Sequence, residues 1–206
     1  MSKEIELRVY DINRDAIVKK LDRCGAVFVG KYNFKIINFQ LKTRGSIKSL
    51  KHERDDEKYY TSWIRIRTDG TNTTLTLKEQ VGTTITGRTE YEVSVSDFLM
   101  VAKIIMKLKP SIRYAYAETE REEYKLGMAT IDIDKRRGLP FSMEIEAPSE
   151  RLVRETYTRL GIKKRPIKGI AVSDYKFYKL LGVDYNSIKR EYSYKFKKML
   201  EDFDKL

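Results

Sequence analysis

Apolar and polar residues alternate along several short stretches of this chain, the pattern of half-buried β-strands. The run EIELR at 4–8 opens the series. TSWIRIRTDG, TTLTLKEQ and GRTEYEVSVS read as three further strands, separated by DGTN and by the Gly/Thr-rich VGTTITG. AETEREEYKL, MATIDID and FSMEIEA continue the pattern, and residues 26–42, AVFVGKYNFKIINFQLK, read as extended. GSIKSLKHERDDEKY at 45–59 reads as a long mobile loop within the segment 43–60.

Elsewhere the apolar residues follow helical spacing. INRDAIVKKLDRCGA has Asn13 as N-cap, Ile17, Leu21 and Cys24 on one face, and Gly25 at its end. SDFLMVAKIIMKLKP is expected to be capped by Ser96, with Phe98, Val101, Ala102, Ile105 and Leu108 on one face and Pro110 beyond it. PSERLVRETYTRLGI, residues 170–181, and the tail from about Ser187 complete the helices. Many strands with a few interleaved helices define an α+β chain built on a barrel or a strongly curved antiparallel sheet.

Residues two apart in a strand share a face, so each strand divides in two. The apolar faces are Ile5/Leu7/Val9, Ile64/Ile66, Leu75/Leu77, Tyr91/Val93/Val95, Ile131/Ile133 and Met143/Ile145, and are read as core. Opposite them lie Glu4/Glu6/Arg8, Arg65/Arg67, Thr76/Lys78, Arg88/Glu90/Glu92, Asp132/Asp134 and Glu144/Glu146, with Arg121 and Glu123 on a further strand. Nearly all of these ionise. Two arrangements explain that: a sheet whose charged face meets water or pairs with itself, or a barrel with charges inside and amphipathic helices outside. In a barrel, an unpaired buried charge costs several kcal/mol, so a ligand must help to balance the interior.

Composition narrows the ligand. The chain has 206 residues and a net charge of +12, enough length for one domain with an appendage and a balance that favours an anionic partner. Most of the excess is C-terminal, where residues 151–206 carry 15 Lys/Arg against 7 Asp/Glu. The single cysteine, Cys24, excludes an internal disulfide and reads as a packed helix residue, while His52 reads as a loop residue. No apolar run suits a membrane span or a secretory signal, so a soluble cytoplasmic protein is expected, with no membrane partner. Arg8, Arg65, Arg67, Lys78, Arg88 and Arg121 suit a polyanion, because guanidinium forks match phosphate oxygens. Glu4, Glu6, Glu90, Glu92, Glu144 and Glu146 are hard oxygen donors for Mg²⁺ or Mn²⁺. Cations and carboxylates together describe a metal–polyphosphate site.

EIELR, WIRIR, LTLKE, RTEYEV, EREEY and IDIDKRRGLPFSMEIEAPSE occur in an order and spacing that resembles the CYTH superfamily, the triphosphate tunnel metalloenzymes, across roughly residues 1–182. The resemblance implies a closed eight-stranded antiparallel β-barrel that holds a linear triphosphate with divalent metal. It implies metal ligation by Glu4, Glu6, Glu144 and Glu146, with Glu90, Glu92 and Asp134 in support. Triphosphate contacts fall to Arg8, Arg65, Arg67, Lys78, Arg88 and Arg121, and the catalytic group comprises Glu4, Glu6, Arg8 and Glu146. Ser173 and Tyr175 are similar to a late Ser-Tyr motif. Arg8 stands where the family usually has lysine; with a pKa above about 12 it cannot act as a base, so a carboxylate or metal-bound hydroxide must. KIINFQLK lacks the acidic Gln-x-Asp pattern of the cyclase branch, and no adenine-reading residue is named by the sequence.

The expectation is therefore a metal-dependent triphosphatase acting on inorganic triphosphate or a nucleoside triphosphate. A class IV adenylyl cyclase, an RNA 5′-triphosphatase and a non-catalytic polyphosphate- or RNA-binding module are the alternatives. The tail, NSIKREYSYKFKKMLEDFDKL, carries Ile188, Tyr192, Phe196, Met199, Leu200 and Phe203 on one face and most of its bases elsewhere. It is expected to pack as a helix, residues 183–206, on the barrel or on a partner subunit, in a monomer or a homodimer. Its bases alternatively steer RNA or polyphosphate toward the tunnel.

Overall fold

Period-two alternation becomes a single antiparallel sheet in a computed structural model that describes residues 2–41, 60–81, 88–109, 111–163, 178 and 181–205. In chain order the elements are β1 (Ser2–Glu4), β2 (Glu6–Tyr10), α1 (Arg14–Arg23), β3 (Val27–Leu41), β4 (Tyr60–Thr68), β5 (Thr73–Val81) and β6 (Arg88–Val95). There follow α2 (Phe98–Leu108), β7 (Ser111–Leu126), β8 (Ala129–Arg136), β9 (Ser142–Glu146), α3 (Glu150–Arg159) and α4 (Tyr185–Phe203). The expected loop 43–60, with His52, and the expected helix 170–181 lie essentially outside the described residues, as do Ser173 and Tyr175.

Strand order is β1-β6-β5-β4-β3-β7-β8-β9-β2. The two ends of that order are one N-terminal strand interrupted at Ile5, so eight strands curl around until both edges meet the first ten residues. Closure is partial. Ser2–Glu4 make three register pairs with β6, and Glu6–Tyr10 make five with β9.

Helices cover the outside, as the apolar faces require. Leu7, Val9, Ile131, Ile133, Met143 and Ile145 are buried in a cluster with Ile17 and Leu21 of α1 and Val153 of α3. Ile37, Phe39, Ile66 and Tyr116 are buried with Phe98, Ala102 and Ile105 of α2 and Tyr192 and Phe196 of α4. Asn13 caps α1 through the Ala16 amide, and Ser149 caps α3 through the Leu152 amide. Gly25 follows α1 at φ +74°, a conformation that favours glycine.

Four sequence expectations change. Asp97, not Ser96, caps α2, because its carboxylate reaches the Met100 amide at 2.8 Å. Leu108, the last residue of α2, is 72% exposed. Tyr91 and Val93 are 43% and 56% exposed and not core, while α2 packs on β4. The tail helix also begins earlier than Ser187, at Tyr185, where Asp184 accepts from the Asn186 and Ser187 amides.

Phe196 stacks on Tyr116 at 5.6 Å and meets Tyr114 edge-on at 5.9 Å. Phe196→Ala is expected to destabilise the fold by about 3–5 kcal/mol in urea unfolding, the usual range for a buried aromatic truncated to alanine. A loss under about 1 kcal/mol would show α4 to be an independent appendage.

Candidate functional site

The face opposite the two cores is charged, and cross-strand register decides which charges meet. Glu6 lies opposite Glu146, and Arg8 opposite Glu144. Glu144 in turn faces Asp132, Asp132 faces Glu123, and Asp134 faces Arg121. On the other half of the sheet Lys78 faces Glu90, while Thr76 lies between Arg65 and Glu92.

Arg121 is the centre of the first group. Its Nε and Nη2 donate to Asp134 at 2.7 and 2.8 Å, Nη1 donates to Asp132, and Nη2 also reaches Glu144 at 3.0 Å. Arg8 pairs with Glu144 and donates to Tyr10 at 3.3 Å, and Arg88 donates to Glu6. In the second group Lys78 pairs with Glu90, and Glu92 accepts from Thr76 at 2.7 Å and lies 3.7 Å from Arg65. Lys78 and Asp134 are only 4% and 1% exposed, so these pairings are obligatory. The backbone of Glu4 pairs with Arg88, and its side chain lies outside the described residues. Glu146 is exposed.

Charge balance is uneven along this face. Burial opposes ionisation of Arg8 and Arg121, yet Glu6, Tyr10 and Asp134 beside the one, and Asp134 and Asp132 beside the other, hold both firmly charged. Burial also opposes ionisation of Asp134, but Arg121 more than offsets it and lowers the pKa. Arg67 differs. Its guanidinium makes no ion pair with a described carboxylate, sits 4.7 Å over the Phe34 ring, and has its pKa lowered by burial and then by the charge of Arg121.

Asp132 shows the opposite imbalance. Its Oδ1 is buried with no hydrogen-bond partner among the described residues. Burial, opposed by Arg121 and reinforced by Asp134, Glu123 and Glu146, pushes its carboxyl up from 3.8 to about 6. The sequence placed Asp132 on the charged face without singling it out; its position two residues before Asp134 was the available signal.

The donor chemistry around Asp132 fits a hard divalent cation: carboxylates of Glu6, Glu144 and Glu146 stand on adjoining strands of the same face, and Asp132 is under-compensated. Among the described residues no three acids are already gathered as a cage, because Glu6 and Glu144 are engaged by arginines.

The raised pKa of the Asp132 carboxyl ties stability to pH. The folded state binds that proton more tightly than the unfolded chain, so this group lowers stability as pH rises from about 4 to 6. Mg²⁺ or Mn²⁺ is expected to raise Tm more at pH 8 than at pH 5, and Asp132→Asn to flatten the metal-free dependence across that window. Equal metal effects at both pH values would separate Asp132 from any cation site.

Comparison with known proteins gives the class. Residues 50–170 match the CYTH domain model, and the chain belongs to the CYTH family, whose enzymes bind triphosphate substrates, act as triphosphatases or adenylyl cyclases and generally depend on divalent metal. A Pyrococcus horikoshii structure aligns at 19% identity and TM-score 0.62, covering 78% of this chain and 91% of that one. A conserved hypothetical protein from Pyrococcus furiosus aligns at 19% identity and TM-score 0.61 over the same shares, 78% and 91%. A candidate adenylate cyclase from Bacillus halodurans aligns at 17% identity and TM-score 0.53, covering 82% and 95%. At these identities the likeness is one of fold. No curated protein matches the sequence. No helix among the described residues is long and apolar enough to cross a membrane.

Proposed function

We propose that this protein is a divalent-metal-dependent triphosphatase that hydrolyses inorganic triphosphate or a nucleoside triphosphate on the charged face of its sheet. The observation that supports this most directly is Arg67, a largely buried cation with an aromatic ring and another arginine beside it and no described carboxylate paired to it. An anionic substrate completes that environment.

In this reading Arg8, Arg65, Arg67, Lys78, Arg88 and Arg121 hold the phosphates by charge-assisted bonds. Phosphate oxygens take the place of Glu6 on Arg88 and of Glu144 on Arg8 and Arg121, freeing both carboxylates. Glu6, Glu144 and Glu146, with Glu4 of the same N-terminal strand, would then hold Mg²⁺ or Mn²⁺; Glu90, Glu92 and Asp134 support the surrounding cations. When bound, the metal supplies Lewis-acid charge to the phosphoryl oxygens and acidifies a water. Glu146, the exposed member of the set, receives the proton of the attacking water. Arg8 positions phosphate and moves no proton. The same reading takes residues 1–182 as the triphosphate domain, with the helix of 183–206 appended, in a soluble cytoplasmic protein.

Product analysis by ion-exchange chromatography tests the reaction, with inorganic triphosphate and ATP offered separately in Mg²⁺ and in Mn²⁺. Orthophosphate with pyrophosphate from triphosphate, or with ADP from ATP, is the expected result. Cyclic AMP with pyrophosphate would make the protein a cyclase, and metal-independent binding without product would leave only an anion-binding module.

A further inference from the structure

On β3 the charged face is interrupted by an apolar strip. Tyr32, Phe34 and Ile36 occupy successive positions there, and each remains partly open to solvent. Register sets an arginine on either side: Tyr32 is opposite Arg121 of β7, and Ile36 is opposite Arg67 of β4. Phe34 lies between, with the Arg67 guanidinium 4.7 Å and the Arg121 guanidinium 6.0 Å from its ring centre. The rings of Tyr32 and Phe34 stack nearly parallel, 5.5 Å apart at 16°. A glycine makes room for this. A Cβ at residue 30 would lie 2.9 Å from the Tyr32 hydroxyl, so the tyrosine ring extends back along the strand over Gly30.

An apolar strip contributes nothing to a chain of phosphates. A substrate made only of phosphate would be served by the polar residues found on the other strands. What these rings offer is a π surface beside two guanidinium groups, which suits a planar heteroaromatic group joined to a phosphate. Stacking on an aromatic side chain is tolerant of the base and is strengthened by neighbouring arginine.

We infer that Tyr32 and Phe34 form a nucleobase platform at the Arg67–Arg121 end of the site, so that the substrate class is nucleoside triphosphates and not inorganic triphosphate. This rests on the triphosphate reading above and deepens it. Arg67 and Arg121 hold the phosphate nearest the ribose, the base lies against Tyr32, and Phe34 supports both the tyrosine ring and the Arg67 guanidinium. The Gln-x-Asp pattern missing from KIINFQLK is replaced here by shape and stacking.

Calorimetric titration in Mg²⁺ with the bismethylene analogues of ATP and of triphosphate, which neither hydrolyse nor cyclise, tests the platform. The unmodified protein is expected to bind the ATP analogue more tightly. Tyr32→Leu should weaken it about tenfold, within the range measured for loss of one base–aromatic stack, and leave the triphosphate analogue within about twofold. Tyr32→Phe keeps the ring and should retain the affinity. Equal weakening of both ligands would reduce Tyr32 to a prop for the arginines and overturn the platform while leaving the triphosphate reading intact. A loss confined to the ATP analogue in Trp63→Leu, with none in Tyr32→Leu, would move the base to the Arg88 end. Failure of the unmodified protein to bind either analogue would defeat both readings.

Discussion

Arg121→Met is expected to destabilise the protein by about 3–5 kcal/mol at pH 7.5, the range for removing one partner of a buried charge group. The reason is the number of carboxylates left behind. Arg121 binds Asp132, Asp134 and Glu144, contributed by two different strands, of which Glu144 is shared with Arg8, and Asp134 is almost wholly inaccessible to water. Methionine preserves the length and fills the space, so the loss reports charge and not a cavity. The pH dependence should invert locally. In the unmodified protein Asp134 is held below its ordinary value of 3.8, so its contribution is present above that pH and is lost as pH falls through the depressed folded value. Without Arg121 the buried carboxylates bind protons more tightly in the folded state, and stability should rise as pH is lowered from 7.5 toward 5. Arg14 provides the control: its fork on Glu122 at 2.8 Å is partly exposed, and Arg14→Met should cost no more than about 1 kcal/mol. Urea denaturation of the two variants at both pH values measures all of this. Equal, small losses would mean that water reaches the Arg121 cluster.

The second large effect concerns turnover. Glu6→Ala and Glu146→Ala are each expected to reduce metal-dependent kcat by about a thousandfold or more, since a metal ion supplies several kcal/mol of transition-state charge stabilisation. Both residues face one another across β2 and β9, and like charges placed directly opposite are unfavourable unless a cation lies between them. Glu6 has a second duty, its bond from Arg88, so Glu6→Gln separates the two: the amide oxygen still accepts from arginine while the charge is gone. Arg67→Ala should act differently, raising KM about tenfold or more with a smaller change in kcat, as expected when one charge-assisted phosphate contact is removed. Wild-type rates in both glutamine variants, Glu6→Gln and Glu146→Gln, would remove the metal assignment. Retained unfolding curves distinguish these effects from misfolding.

Some of this architecture is legible in residue order and some is not. The helix cap is legible at Asn13, where a side-chain oxygen immediately precedes an amphipathic run, and ambiguous by one residue at Ser96-Asp97, where two capping residues stand side by side. The outer face of β6 misled because Tyr91 and Val93 alternate like core residues, whereas burial also depends on where the next helix lands. The placing of Tyr32 and Phe34 on the charged face is not legible, because an extended segment does not say which face is inside.

Alternation alone determined that Glu6, Arg8, Arg65, Arg67, Lys78, Arg121, Asp134 and Glu144 share the charged side of an antiparallel sheet. Side-chain direction in a strand has a period of two whatever the strand pairs with. Tertiary structure decided the partners: that Arg121 gathers Asp132, Asp134 and Glu144, that Asp132 is left short of positive charge, and that Arg67 faces an aromatic ring. Those outcomes depend on register, which the shifts near Phe28/Gly30 and Gln40/Leu41 reset along β3. They depend too on the curvature that brings the N-terminal strand between β6 and β9. Period carries no information about which residue of a neighbouring strand stands opposite; turns, bulges and packing of the whole sheet supply it.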